Sequence, residues 1–217
     1  MANARKRASL PPPNLNGGKA VKRIVAVAET LFAERGFEAV SMNDIAERCN
    51  VSKANLFHHF SNKRALYMAM LRNACDDAAE HLRHLEAREG GFADRFSDYA
   101  TDMLRSTLDH ARLHRLMLRE LLSEQDEPLT QELAERVLGD KFVRLVTILR
   151  TGQTRGNLRT GFDPAIAAIV LIGATIFFLQ CQNLFKHFPD VHVAADPERY
   201  TALVSDILLH GIMSPQE

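Results

Sequence analysis

Tryptophan is absent from this 217-residue chain, and tyrosine and cysteine occur three times each. Three thiols, Cys49, Cys75 and Cys181, cannot all pair within one chain and show no metal-ligand spacing, which excludes a disulfide scaffold and a cysteine-rich zinc module. There is no Gly-rich phosphate loop, no G-x-S-x-G elbow and no H-E-x-x-H, so no catalytic set stands out. Long apolar runs are lacking too. The longest, residues 164–179, is broken by Gly173 and Thr175, and its 16 residues fall short of the ~20 that a membrane span needs. A buried helix and no membrane are therefore expected. The first residues are charged and proline-rich, unlike a secretory leader, and a reduced cytoplasmic compartment follows as the expectation. No stretch alternates apolar and polar residues well enough for a strand, and no fixed-period repeat is visible.

What is present is 46% hydrophobic and 25% charged residues, an ordinary globular composition. The 27 basic and 27 acidic residues cancel, yet they are segregated. Residues 1–72 carry 12 Lys/Arg against 5 Asp/Glu, and the remainder 15 against 22. A basic N-terminal part on an acidic body fits a small nucleic-acid-facing module, although solvated faces can segregate in the same way.

The spacing predicts helices throughout. Residues 1–18, with Arg5, Lys6, Arg7, three prolines and a glycine pair, read as a disordered basic tail that either enters a minor groove or only solubilises the chain. Val21, Ile24, Val25, Ala28, Leu31 and Phe32 recur at three and four, one face of a helix that Gly36 ends. Ser41 with Asp44 is a capping box for a short helix to Cys49. Asn50 suits a left-handed turn, Ser52 caps residues 53–59, and Ser61 caps a third helix. One long helix is expected over 62–89, stopped by Gly90-Gly91. Further helices follow around 92–104 and 113–121, and from Pro128 to Leu149. A polar loop is expected over 151–162. Asp163-Pro164 and Asp196-Pro197 open helices at 164–187 and 197–211.

Two short helices joined by a tight turn suit the major groove, which admits one helix while the other braces it. Within SMNDIAERCNVSKANLFHHFSNKRAL, Ile45, Ala46, Val51, Leu56 and Phe60 face inward. Ser41, Asn43, Ser52, Lys53, Asn55, His58, His59 and Lys63 are left polar and outward. Such donors meet phosphates, and Asn or Lys can also read base edges.

Residues 19–71, with AETLFAERGFEAVSMNDIAERCNVSKANLFHHFSNKRALYMAML, resemble the DNA-binding region of the tetracycline-repressor (TetR/AcrR) family of bacterial regulators. GNLRTGFDPAIAAIVLIGA resembles the lead into that family's dimerisation helices. The resemblance implies a helix-turn-helix domain at 19–68 and a ligand-binding and dimerisation domain at 69–217. It makes Lys53, Asn55 and His58 base or phosphate contacts, Ser41 and Lys63 phosphate contacts, and Asn43 an occasional base contact. Asn50 replaces the family's usual turn glycine. Phe57 replaces its recognition-helix tyrosine, which removes a hydroxyl from a phosphate-contacting position.

The fold expected is all-α. A largely apolar effector pocket is expected among Phe96, Tyr99, Met103, Met117, Phe142, Phe177 and Phe178, with His110, His114, Gln180 and Asn183 as the polar groups that orient a guest and Cys181 beside them as a thiol or core residue. Each of these is also an ordinary core candidate. His81 with His84, and His110 with His114, are spaced like zinc pairs but lack further ligands, and no metal or cofactor is expected. The helices at 164–187 and 197–211 are expected to pair with the same helices of a second subunit. The function implied is a ligand-released repressor binding a near-palindromic operator. The alternatives are a helical interaction or sensor protein that has lost DNA binding, and a helical enzyme.

Overall fold

The structure, a computed structural model, describes residues 18–122 and 127–212. The basic tail lies outside the described residues. The described chain is helical, without a strand, and divides into two compact units, one up to Met70 and one from Leu71.

The first unit is built on α1, Lys19–Ala39, whose buried stripe is Val21, Ile24, Val25, Ala28, Leu31 and Phe32. Regular helix breaks at Gly36, which adopts φ 81 and ψ 167, and a last turn follows to Ala39. Positive φ is why glycine stands there. Phe37, carried by that turn, and Phe32 close on Tyr67, with ring centroids 4.8 and 5.1 Å away. The short helices α2, Met42–Arg48, and α3, Lys53–His59, add Ile45, Ala46 and Leu56 to this core. α4, Lys63–Ala74, brings Leu66 and Met70, both fully buried. The cap of α4 is Asn62, not Ser61: its Oδ1 accepts from the Ala65 amide at 2.8 Å.

The single helix expected over 62–89 is two helices. It breaks at Cys75 (φ −101, ψ 0), and α5 runs from Asp76 to Ala87. α6, Phe92–Asp109, then packs against α5 and against two later helices, α10, Pro164–Phe185, and α11, Pro197–Ile212. Between these come α7, Ala111–Leu121, α8, Glu127–Leu133, and α9, Gly139–Thr154. The core of this unit joins Leu82 and Leu85 of α5, Phe96 and Tyr99 of α6, Leu145 and Leu149 of α9, and Ala168 and Leu171 of α10. Buried Thr107, Thr175 and Thr201 return their hydroxyls to the carbonyl four residues back, which removes the cost of an unpaired polar group. Tyr200 fastens α11 to α10: its hydroxyl donates to the Ala174 carbonyl at 2.8 Å and its ring lies 4.3 Å from that of Phe178.

Two boundaries differ from expectation. α9 continues to Thr154, four residues into the predicted loop, because the loop turns back on it. The Asn157 and Leu158 amides both donate to the Gly152 carbonyl. The helix expected from Pro128 onward carries a π turn at Ala134–Leu138 before α9. A Cβ on Gly139 would sit 2.6 Å from the Ala134 carbonyl oxygen, a backbone atom that has no room to yield. Glycine to alanine in a helix normally stabilises by ~1 kcal/mol. Here the overlap reverses the sign, and Gly139→Ala should lower the urea-unfolding free energy by ~1–3 kcal/mol. An unchanged or higher midpoint would show that the π turn straightens without cost.

Candidate nucleic-acid interface

The local chemistry of the first unit aims one short helix outward. Ser41 and Asp44 form a reciprocal box: the Ser41 Oγ accepts from the Asp44 amide at 3.1 Å, and Asp44 Oδ2 accepts from the Ser41 amide at 2.7 Å and from its hydroxyl at 2.6 Å. The bonds from Ser41 hold the Asp44 carboxyl below its ordinary pKa. Asn50 makes the turn at φ 50, the left-handed region in which Asn is tolerated. Its amide and that of Val51 donate to the Glu47 and Ala46 carbonyls, closing the end of α2. Ser52 then caps α3 by accepting from the Asn55 amide at 3.1 Å. Leu56 and Phe60, 0% and 1% exposed, pin α3 against the core. The remaining residues of α3 are left facing solvent or nearly so.

The predicted contacts do not all stand alike. Asn43, Lys53, Asn55, Phe57 and His58 are exposed, and His59 is half-buried with its ring 5.2 Å from that of His58, edge-on. Ser52 is exposed, and its cap uses only the oxygen as acceptor, so the hydroxyl proton can donate outward. Ser41 is exposed, but its hydroxyl proton goes to Asp44. Lys63 is drawn inward: its ammonium donates to the Phe37 and Glu38 carbonyls at 2.8 and 3.3 Å and sits 4.3 Å over the Phe37 ring. Two of its three protons are spent closing the end of α1. No signal in the sequence distinguishes that tie from an outward lysine, since it joins residues 25 and 26 apart. The pairing of Lys53 with Phe57, ammonium to ring centroid 5.9 Å, was open to detection from its i, i+4 spacing.

Residues 24–70 match the family profile described as bacterial regulatory proteins, tetR family. Over 79 residues the chain is 35% identical to the HTH-type transcriptional repressor KstR2 of Rhodococcus jostii, a match covering 36% of this chain and 39% of KstR2. Over 159 residues it is 29% identical to the regulator YdeS of Bacillus subtilis, covering 72% of this chain and 76% of YdeS. The SmeT–triclosan complex shares its fold, with a TM-score of 0.70 over 90% of this chain and 92% of that one at 22% identity. The chain carries a TetR-family DNA-binding domain at residues 24–70. It has an N-terminal helix-turn-helix and a larger helical C-terminal domain. The relatives are regulators, not enzymes.

In the larger domain, the nominated ligand residues separate into three groups. Phe96, Tyr99 and Phe178 are buried at 1%, 5% and 0%, and Met103 and Phe142 pack against the core cluster to which Phe96 and Tyr99 belong. Burial pushes the Tyr99 phenol well above its ordinary pKa. On α7, Met117 is buried and His114 is half-buried, next to Arg115, whose guanidinium donates to the Leu179 carbonyl of α10 at 3.1 Å, and His110, the C-cap residue of α6, is half-buried too. Phe177 and Gln180 are exposed and Cys181 is half-buried, so these do not join the inward set. Two surface clefts lie elsewhere. One of about 290 Å³ is lined by Leu104, Leu108 and Thr201, with the Arg105–Glu198 pair. Another of about 270 Å³ is lined by Phe92, Arg95, Ile148 and Arg155. No nominated residue lines either one. Among the described residues no three His, Cys, Asp or Glu side chains gather as a metal site.

The outer face of the same domain is apolar. Ile166, Ile169, Val170, Phe177 and Leu184 of α10 are 47–57% exposed, and Leu203 and Ile207 of α11 are 47% and 72% exposed. At 22 residues, α10 is long and apolar enough to cross a bilayer by length and composition alone, longer than the 16-residue run suggests. Its inward residues Ala167, Ala168, Leu171, Phe178 and Leu179 belong to the buried interior.

Proposed function

We propose that this chain is a cytoplasmic, nucleoid-acting repressor of the TetR family that binds a near-palindromic operator as a homodimer and is released by a small, largely apolar ligand. The observation that carries the reading is α3, held by its cap, its left-handed turn and buried Leu56, with Lys53, Asn55 and His58 exposed along it. One such helix per subunit, 34–36 Å apart in a two-fold pair, would meet two successive turns of one duplex face. The apolar outer face of α10 and α11 supports that pair, since exposed apolar surface of this extent on a helical body marks an interface. KstR2 is a named repressor, and SmeT was solved with the apolar compound triclosan, which supports the sense of regulation and the class of guest. A guest favouring the dimer arrangement that misfits DNA by about 1.4 kcal/mol would weaken operator binding tenfold.

The test is a gel-shift titration against salt. Affinity for a selected duplex should fall steeply, by ~10³–10⁵ between 50 and 200 mM salt for 6–10 phosphate contacts. Lys53→Ala should cost ~1–3 kcal/mol on the selected sequence if the ammonium reads a base, or weaken all sequences evenly and lower the salt slope by about one if it meets only phosphate. A variant that binds as well as the wild type rules out this placement of Lys53. A chain that shifts no duplex at any salt is a helical interaction protein instead.

A further inference from the structure

We propose that Phe57 reads the 5-methyl group of a thymine in the major groove, an inference that rests on the DNA-binding reading of α3. Phe57 is 40% exposed, next to Leu56, which is fully buried. The core is therefore closed by Leu56, and the Phe57 ring is left on the outer surface of a seven-residue helix. At 100° per residue, Phe57 stands on the same flank as Lys53, one turn earlier, and the Lys53 ammonium lies 5.9 Å from the ring centroid. Ala54, exposed and three residues before Phe57, is too small to hold the ring away from an approaching base edge.

A phenyl ring neither donates nor accepts a conventional hydrogen bond, so it cannot pair with a phosphate oxygen, a base carbonyl or an exocyclic amine. Pressed against any of these it would displace water from a polar group and return nothing. The major-groove edges of the four base pairs present acceptors, amines and one apolar group, the thymine methyl. That methyl is the complement of the ring. The neighbouring ammonium completes the pattern: its positive charge seeks a phosphate or a purine acceptor within a side chain's reach of that thymine.

The experiment keeps the protein intact and alters the DNA. Duplexes are selected from a random library with the full chain, and each thymine common to the selected sites is replaced in turn by uracil. Uracil preserves every hydrogen bond and removes only the methyl. At one thymine per half-site the wild-type protein should lose about fourfold in affinity, the equivalent of burying one methyl group. Phe57→Ala should lose the discrimination at that position and keep it elsewhere, whereas Phe57→Tyr, which retains the ring, should keep it. The wild-type measurement does not depend on how either variant folds. Uracil tolerated at every position, or an unchanged methyl preference in Phe57→Ala, overturns the assignment and leaves DNA binding by α3 standing. Failure to select any duplex overturns both.

Discussion

Replacing Ile207 by glutamate should convert the protein to a monomer and abolish operator binding at concentrations where the wild type is saturated. Ile207 is 72% exposed on α11, with Leu203 one turn earlier at 47%, beside the exposed isoleucines and Phe177 of α10. A two-fold axis makes every substitution appear twice in the interface. Losing two isoleucine burials removes ~3–6 kcal/mol, and each carboxylate must also be desolvated or left to hold water in the interface. Even the burial alone corresponds to ~10²–10⁴ in dimer dissociation. A monomer presents one α3, so it forfeits the second half-site and with it most of the specific affinity. Val143→Glu is the control: Val143 is 62% exposed but lies on α9, outside the two helices proposed to pair, and its substitution should leave the dimer intact. Light scattering reads the mass and a gel shift reads the DNA. An Ile207→Glu protein that remains dimeric would refute pairing through α10 and α11.

How much of this was readable beforehand depends on the kind of signal. Most caps were readable because a cap is local: Ser41 with Asp44, Ser52, Asp163 and Asp196 each bond the amides their spacing promised, while Ser61 was passed over for the adjacent Asn62. The turn at Asn50 was readable for the same reason. The interruption at Cys75 was not, since no glycine or proline marks it and apolar period continues on both sides. The π turn before Gly139 was hidden because one added residue per turn leaves Leu133, Val137 and Leu145 buried as an ordinary helix would. On α10 periodicity fails for a different reason. The helix is apolar on nearly every side, so adjacent Phe177 and Phe178, one exposed and one buried, look alike in the sequence. Pocket residues chosen from such a helix mix its two faces, which is how Phe177 and Gln180 came to stand with Phe178. Lys63 shows the limit in the first unit, where a long-range tie to the Phe37 carbonyl decides what the side chain can do.

Acidification should weaken the fold from about pH 6.5 downward, a range that begins above the carboxylates, and His114 should account for most of the loss there. Burial, reinforced by the charge of His110 one turn earlier on the chain, lowers the His114 imidazole from 6.5 to about 4. The native state therefore keeps this ring neutral in a pH range where the unfolded chain protonates it. Unfolding takes up a proton between those two values, so stability present at neutral pH is lost as pH falls through 6.5, and the loss levels off below about 4. The depth of the shift sets the scale: about 2–3 kcal/mol by pH 4.5. Asp44 acts in a lower window, since its carboxyl is held below 3.8 and its contribution fades only beneath that value. Urea unfolding at pH 7 and pH 4.5 separates the two. His114→Gln, neutral at both values, should remove most of the difference between the two midpoints, whatever its own effect at pH 7. If the variant loses as much stability on acidification as the wild type, the ring is charged in the native state and its surroundings hold water.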